Sequence, residues 1–334
     1  MKHILYIGNK LNSTKTNATS IEVLGRLLEN EKYTITYSSS YQNKFVRFFD
    51  MIFSVIKSRS KVDVVLIDTY STQNFYYALV VSQLCRFFKL KYIPILHGGN
   101  LPNRLKNNSK LSSLIFSKSY INVSPSLYLK KAFEDFGYTN TTYIPNAIEI
   151  EKYSFNNRII QTPKILWVRS FKEIYNPKMA IRVLKNLKNN GIDASLCMVG
   201  PDGGLLKEVK QLAEQLQVNV KFTGKLTKAE WINLSKDYNV FINTTNFDNM
   251  PISVIEAMAL GLPVVSTNVG GIPFLIKHEK QGVLVKQNNE QEMANAIKYL
   301  IDNKSKTEDI VKSARQNVEQ FSWNNVKQLW FDVL

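Results

Sequence analysis

Short apolar runs alternate with longer amphipathic segments along nearly the whole chain. The short runs are rich in Val, Ile, Tyr and Phe, and most of them end at Gly, Asn, Ser or Pro, which is typical of buried strands. The longer segments repeat apolar residues at helical spacing. This alternation predicts an α/β fold, in which parallel sheets are joined by crossover helices.

The pattern predicts the individual elements as follows. Strands are expected at Lys2–Ile7, Tyr33–Tyr37, Val62–Ile67, Tyr92–Leu96, Tyr120–Val123 and Thr142–Ile144, and again at Lys164–Val168, Ala194–Val199, Val220–Thr223, Val240–Asn243, Pro263–Ser266 and Gly282–Val285. Helices are expected at Ser20–Glu29, Phe45–Ser58, Asn74–Phe88, Pro125–Phe136, Pro177–Asn189, Gly204–Leu216, Lys228–Asp237, Ser253–Leu260, Gly271–Lys277 and Glu290–Asn303.

The second half of the chain restarts the scheme of the first half, so the 334 residues predict two Rossmann-like, doubly wound domains facing a cleft. The predicted boundaries are 1–155 and 156–310, with a closing segment at 311–334. Glu151–Pro163 is polar and contains proline, and it is the predicted linker. Ligands are expected outside the carboxyl ends of the strands.

Composition narrows the class of protein. The 44% apolar content is that of a globular chain. Cys85 and Cys197 are far apart and lie among apolar residues, and the three histidines are scattered, so neither a disulfide framework nor a metal site is predicted. The N-terminus shows no signal-peptide pattern and no segment is long enough to span a bilayer, so we expect a cytoplasmic protein.

The net charge of +16 points to an anionic partner. The first 150 residues contain 19 Lys and Arg against 9 Asp and Glu. Nucleic acid, anionic lipid and a phosphorylated substrate all fit this excess, as does a generically basic surface; no nucleic-acid recognition motif is present, so nucleic acid is not an expected partner. "KFVRFFDMIFSVIKSRSK" has polar residues at 44, 47, 50, 54 and 57, and this helix either lies on a membrane at the inner face or is buried against its sheet.

The stretch from Asn246 to Gly271 carries the clearest chemistry. A turn-rich loop precedes a helix predicted to begin at Ser253, and unpaired amides at such a start bind phosphate. Asp248 and Glu256 suit sugar hydroxyls as strong acceptors, so the pair suggests a nucleotide sugar. In the simpler alternatives, Ser253 and Glu256 form a capping box, and Asp248 forms a turn pair with Asn249.

"DNMPISVIEAMALGLPVVSTNVGG" resembles the signature of glycosyltransferase family 4, whose members are retaining enzymes with the GT-B fold. Asp248 stands at the first acidic position of that signature, where glutamate is usual, and Glu256 stands at the second. Further resemblance follows in the family's order along most of the chain, in "YIPNAIEIEKY", "ILWVRSFKEIYNPKMAI", "LCMVGPDGG", "VKFTGKL" and "FSWNNVKQLWFDVL".

The resemblance implies transfer of a sugar, with retention, from a nucleoside diphosphate sugar to a glycan or lipid-linked acceptor in the synthesis of surface polysaccharide or glycolipid, without a metal cofactor. The N-terminal domain would bind the acceptor, 156–310 the nucleotide sugar, and 311–334 would cross back as a helix. The implied catalytic residues are His97, Asp248 and Arg169. The implied substrate contacts are Gly8, Gly98, Gly99, Lys172, Lys178, Gly200, Gly224, Lys225, Leu226, Asn249, Met250, Pro251, Ile252, Ser253 and Glu256.

Other positions leave alternatives open. His97 follows a predicted strand and precedes Gly98, where a ligand can approach the backbone, but it can also be a satisfied loop histidine. The loop 8–20 is a candidate ligand loop or a mobile surface loop, and residues 68–72 are candidates for acceptor contact. Rival functions are a non-catalytic GT-B scaffold, a nucleic-acid binder, and a GT-B epimerase or phosphorylase.

Overall fold

The computed structural model describes residues 2–10 and 19–334, which form two compact units. Unit 1 comprises Met1–Ala147 and Trp323–Leu334, and unit 2 comprises Ile148–Ser322. The division therefore falls before the predicted boundary at 155/156. The predicted linker Glu151–Pro163 lies in unit 2, where Tyr153 and Ile160 are buried, because apolar side chains in that polar stretch pack into the core of the unit.

Unit 1 is built on a six-stranded parallel sheet of order β2-β1-β3-β4-β5-β6. All side chains of β3 are buried, as expected for a parallel sheet covered on both faces. The strand order reverses between β1 and β3, which is the topological switch point of this sheet. The strands are β1 (His3–Ile7), β2 (Thr34–Ser38), β3 (Val64–Thr69), β4 (Tyr92–Leu96), β5 (Asn122–Ser124) and β6 (Thr141–Tyr143).

The helices of unit 1 cover both faces of its sheet. They are α1 (Ser20–Asn30), α2 (Lys44–Ser58), α3 (Asn74–Phe87), α4 (Leu101–Asn107), α5 (Ser109–Phe116), α6 (Leu127–Asp135) and the last helix of the chain (Trp323–Val333). Helices α4 and α5 are absent from the sequence prediction, since their Asn- and Ser-rich segments have weak helix propensity. The buried side chains of Leu105 and Phe116 hold them against the core.

Unit 2 repeats the architecture with the strand order β12-β11-β10-β7-β8-β9, and all pairs are parallel. Its order reverses between β7 and β10. The strands are β7 (Lys164–Val168), β8 (Ser195–Val199), β9 (Val220–Gly224), β10 (Val240–Asn243), β11 (Val264–Thr267) and β12 (Val283–Val285). The sequence therefore predicts every one of the strands found in the described part of the chain.

Some helices of unit 2 begin at the capping residues that the sequence contains. Thr227 and Glu230 form a capping box at one helix, and Asn176, with Pro177 in the next position, caps another. The helices are α7 (Pro177–Asn189), α8 (Leu206–Gln215), α9 (Lys228–Leu234), α10 (Ile252–Ala259), α11 (Ile272–Leu275), α12 (Glu290–Asp302) and α13 (Lys304–Glu319), with 3-10 turns at Ile150–Lys152, Glu173–Tyr175 and Ser235–Asp237.

The predicted closing segment 311–334 contains parts of two helices. Helix α13 belongs to unit 2, and α14 (Trp323–Val333) belongs to unit 1, where Trp330 is buried. Helix α13 ends at Glu319, and the carbonyl of Phe321 in the connection accepts a hydrogen bond from the Ile148 amide at 2.9 Å.

Within residues 2–10 and 19–334, no helix combines the length and apolarity needed to cross a membrane.

Both cysteines should resist modification in the folded protein. Burial raises the pKa of the Cys85 thiol to about 12 and also raises the pKa of Cys197. Since only the thiolate reacts, both thiols stay protonated and unreactive at pH 8. Titration with a thiol reagent should find no fast-reacting group in the native protein and two after unfolding in urea. Rapid native reaction of either cysteine would contradict the described burial.

Candidate active site

Two of the polar residues predicted for unit 2, Arg169 and Asp248, lie on loops at its topological switch point. Arg169 follows β7 directly, and the loop containing Asp248 follows β10. The strands β7 and β10 are neighbours in the sheet, so their carboxyl ends bring these two loops together.

Arg169 and Asp248 form an ion pair. The Arg169 Nη2 donates to Asp248 Oδ2 at 2.6 Å, and both side chains are largely buried. The guanidinium also lies over the ring of Tyr175, 5.0 Å from its centre. The other carboxylate oxygen of Asp248 accepts from the Asn249 amide at 2.9 Å, which confirms the predicted turn pair. Asp248 therefore fixes the position of the Arg169 side chain.

The two glycines after β11 allow the Asp248 loop to pack closely. A Cβ on Gly270 would overlap the carbonyl of Asp248, and one on Gly271 would overlap the carbonyl of Asn249. The Gly271 amide donates to the Asp248 carbonyl at 2.8 Å. The "NVGG" sequence thus supports the acidic loop from behind.

Helix α10 begins at Ile252, one residue earlier than predicted, with Pro251 at its N-cap. Proline offers no side-chain acceptor, and the Ser253 Oγ is shielded from solvent without a partner in the described part of the chain. The amides of Ile252 and Ser253 also donate no hydrogen bond to any described residue. These groups form an uncapped helix start with the character of an anion site.

Glu256 does not form the alternative capping box with Ser253, because its carboxylate is held elsewhere. Its Oε1 accepts from the Tyr153 hydroxyl at 2.7 Å and pairs with Lys228 Nζ at 2.8 Å. Burial, with a further contribution from Glu256, raises the pKa of Tyr153 well above its usual value, so the phenol remains a donor at neutral pH. Both contacts lie on one oxygen, and the carboxylate is fixed in direction.

The remaining residues predicted for unit 2 differ in their surroundings. Lys172 is exposed, whereas Lys178 pairs with Glu208 on α8. A Cβ on Gly200 would overlap the Arg169 carbonyl, so this glycine lets the loops after β7 and β8 meet. Gly224, followed by Lys225 and Leu226, ends β9 with φ +73°, which favours glycine.

In unit 1, His97 is paired with a buried carboxylate. The His97 Nε2 lies 2.8 Å from Asp68 Oδ1, and the side chains are 8% and 0% exposed. His97 follows β4 and Asp68 lies in β3, its neighbour, so the parallel register sets the pair. The alternative interpretation, that His97 is a hydrogen-bonded loop histidine, is therefore partly correct, because one of its ring nitrogens has a hydrogen-bond partner.

The Asp68 contact determines the tautomer of a neutral His97. An ionised carboxylate only accepts, so Nε2 carries the hydrogen and Nδ1 presents a lone pair. Nδ1 lies 3.5 Å from Ser20 Oγ at the start of α1. The ring of Tyr70 packs on the imidazole at 5.3 Å between centres. Nδ1 is therefore the nitrogen through which His97 can accept a hydrogen bond.

Asp68 is enclosed by groups from neighbouring strands. Tyr6 donates its hydroxyl to Asp68 Oδ1 at 3.0 Å, and burial followed by the Asp68 charge raises the pKa of Tyr6. A Cβ on Gly8 would come within 2.6 Å of Asp68 Oδ2, so Gly8 leaves room for the carboxylate. Gly98 likewise approaches the Ser71 amide, and Gly99 lies in the turn before α4. Positions 11–18 of the predicted ligand loop are outside the described residues.

Sequence reasoning missed the partners of the candidate residues. It considered Asp68 for acceptor contact without linking it to His97, and it did not consider Tyr153 or Lys228 as partners of Glu256. The spacing along the chain contains no signal for these pairs, which are separated by 28 residues or more. Only the adjacency of β3 and β4 could have suggested the first of them.

The described residues 2–10 and 19–334 contain no cluster of three or more His, Cys, Asp or Glu side chains able to hold a metal ion.

The chain belongs to the glycosyl transferases group 1 family, whose family model matches residues 149–317. Among curated relatives, UDP-Gal:alpha-D-GlcNAc-diphosphoundecaprenol alpha-1,3-galactosyltransferase of Escherichia coli is 26% identical over 177 residues, covering 48% of this chain and 45% of that protein. The amylovoran biosynthesis glycosyltransferase AmsK of Erwinia amylovora is 26% identical and covers 74% and 64%. The matched region spans about half the length of the galactosyltransferase.

Solved structures match the whole chain and confirm the predicted GT-B fold. Sucrose-phosphate synthase from Thermosynechococcus elongatus has a TM-score of 0.85 at 15% identity, covering 100% of this chain and 99% of its own. Anabaena HepE in complex with UDP-glucose has a TM-score of 0.80 at 18% identity, with 99% of each chain covered.

Replacing Gly271 with alanine should destabilise unit 2. The added Cβ overlaps a backbone carbonyl that cannot rotate away, so we expect a loss of about 1–3 kcal/mol in the free energy of unfolding, measured by urea titration. Gly191→Ala is the control: its site is open, and only its positive φ is strained. Wild-type stability of Gly271→Ala would refute the close packing of the two loops.

Proposed function

We propose that this protein transfers a glycosyl group, with retention of configuration, from a nucleoside diphosphate sugar to a glycan or lipid-linked acceptor in the synthesis of surface polysaccharide or glycolipid. The observation that carries the proposal is the uncapped start of α10 beside the Arg169–Asp248 pair. The family and the relatives named above support the reaction class, and HepE, which binds UDP-glucose, supports the donor class.

In this proposal the diphosphate binds at the first turn of α10. The amides of Ile252 and Ser253 and the Ser253 hydroxyl donate to phosphate oxygens, and Arg169 supplies a positive charge. As the sugar leaves, negative charge grows on the phosphate, and these preorganised groups stabilise it most strongly in the transition state. Asn249, Met250 and Pro251 shape the entry to this turn.

Glu256 is assigned to the ribose hydroxyls. Its direction is set by Tyr153 and Lys228, so a hydroxyl can donate to the carboxylate without reorganisation. The backbone of Gly224, Lys225 and Leu226 is assigned to the base. Asp248, assigned to the donor sugar, also holds Arg169 in place.

Retention is assigned to a front-face reaction. The bond from the anomeric carbon to the phosphate oxygen breaks, the bond from that carbon to the acceptor oxygen forms, and the acceptor proton passes to the departing phosphate. His97, with its Nδ1 lone pair, is assigned to a sugar hydroxyl. Arg169 and the α10 amides supply the positive charge for the diphosphate, so the proposal includes no metal and expects activity to persist in EDTA.

Replacing Glu256 with glutamine should weaken nucleotide binding. We expect wild type to bind one of UDP, GDP or ADP by calorimetry and to release it from the matching nucleotide sugar. Glu256→Gln should lose about 10- to 150-fold in affinity, because a charged hydrogen bond contributes roughly 1.5–3 kcal/mol.

The matched control for this experiment is Glu308→Gln, an exposed carboxylate on α13 that should bind nucleotide normally. Binding by no nucleotide would refute the proposal, and binding without product release for any sugar would assign the protein to the scaffold class.

Replacing Asp68 with asparagine should lower kcat more than it changes KM for the donor. An amide can no longer hold His97 in the stated tautomer, and the loss should be roughly 5- to 150-fold, equivalent to about 1–3 kcal/mol for a disrupted buried polar pair. Asp63→Asn, at an exposed carboxylate bonded to the His3 amide, serves as the control. An unchanged kcat in Asp68→Asn would show that the pair is structural only.

A further inference from the structure

Helix α2 presents a line of three phenylalanines to solvent. Phe45, Phe49 and Phe53 are 78%, 55% and 65% exposed and follow one another four residues apart. Residues at this spacing lie on one helix face, so the rings form a continuous aromatic line, with exposed Val46 beside it. Single exposed apolar side chains are ordinary, but a contiguous set of this kind marks an interaction surface.

The opposite face of α2 already stabilises unit 1. Met51 and Val55 are buried in its core. Arg47 is 8% exposed and donates to a backbone carbonyl, and Asp50 accepts from Ser38 Oγ at 2.9 Å. The expectation that this helix is buried against its sheet therefore holds for the inner face and is wrong for the aromatic line. Phe49 also contacts Phe48 edge to face, at 5.7 Å between ring centres, but more than half of each residue of the aromatic line is exposed.

Positive charge surrounds the aromatic line. Lys44 and Lys57 lie within α2, and Arg59 and Lys61 follow it, all of them exposed. Between residues 41 and 61 the only carboxylate in the sequence is Asp50, which is already bonded to Ser38. A helix with large apolar rings on its outer face and long cationic side chains at its ends matches an anionic bilayer surface, where the rings enter the acyl boundary and the cations reach headgroups.

Other occupants fit this face less well. Pairing with the same face of a second copy would bring like charges together without a carboxylate to compensate them. Single-stranded nucleic acid is usually held in a groove that follows its backbone, whereas the rings here stand on the outer side of a helix.

We propose that the aromatic line and the cations around it dock unit 1 onto an anionic lipid surface. The proposal goes beyond the transferase reaction and does not depend on it, since docking requires no nucleotide. It would bring the protein to a lipid-linked acceptor.

The test is co-sedimentation with vesicles of phosphatidylglycerol and phosphatidylcholine in equal parts, compared with vesicles of phosphatidylcholine alone. Wild type should partition onto the anionic vesicles, and less so as salt increases. The combined Phe45→Ser, Phe49→Ser and Phe53→Ser variant should lose at least about tenfold in partition coefficient. Lys44→Glu with Lys57→Glu should lose the preference for anionic lipid.

The control variant combines Ile159→Ser, Phe274→Ser and Leu329→Ser, which remove exposed apolar side chains on other elements. It should bind vesicles as wild type does. All variants should unfold within a few degrees of the wild-type temperature, because the substituted side chains are at least partly exposed, and should retain nucleotide binding. That readout separates failure of docking from failure of the proposed transferase function.

Four outcomes would overturn the proposal. If wild type and the triple phenylalanine variant bind vesicles equally, or if wild type does not bind them, the aromatic line does not dock onto lipid. A wild-type dimer in light scattering that the same variant abolishes would assign the face to a second copy. Competition of a single-stranded oligonucleotide for the vesicle-binding face, with tighter binding than lipid, would assign it to nucleic acid.

Discussion

The parallel pairing of every strand is the constraint on which the rest of this protein depends. Parallel strands direct their carboxyl ends to one edge of a sheet, and each sheet here reverses its strand order once. Residues at the ends of neighbouring strands are thereby brought side by side. Arg169 meets Asp248 in this way in unit 2, and Asp68 meets His97 across adjacent strands in unit 1.

The Arg169–Asp248 pair and the Asp68–His97 pair stabilise a buried carboxylate in the same way. Each places a carboxylate where solvation is poor and gives it a cationic or hydrogen-bonding partner, which limits the cost of burial. Glycines make room for both arrangements: Gly8 beside Asp68, and Gly270 and Gly271 beside the Asp248 loop. The consequence is side chains with fixed directions, a property that differential stabilisation of a transition state requires.

The outer face of α2 differs from these two pairs in that its side chains are exposed to solvent. Its aromatic line is mostly exposed, with one ring contact between Phe49 and Phe48, and exposing it to water is unfavourable. On the inner face, Met51 and Val55 pack into the core and stabilise the fold. Separate faces for folding and for docking allow a partner surface to be changed without loss of the fold.

The sequence by itself determined the strands, the fold class and the identity of the chemical groups, because hydrophobic periodicity and capping residues act locally. It also indicated the acidic pair around α10. Only the tertiary structure decided what each group contacts. Glu256 contacts Tyr153 and Lys228 and does not cap α10, and the phenylalanines of the aromatic line on α2 are exposed to solvent. These contacts depend on which segments, distant along the chain, lie next to one another after folding. The pattern of residues along the chain does not specify those neighbours.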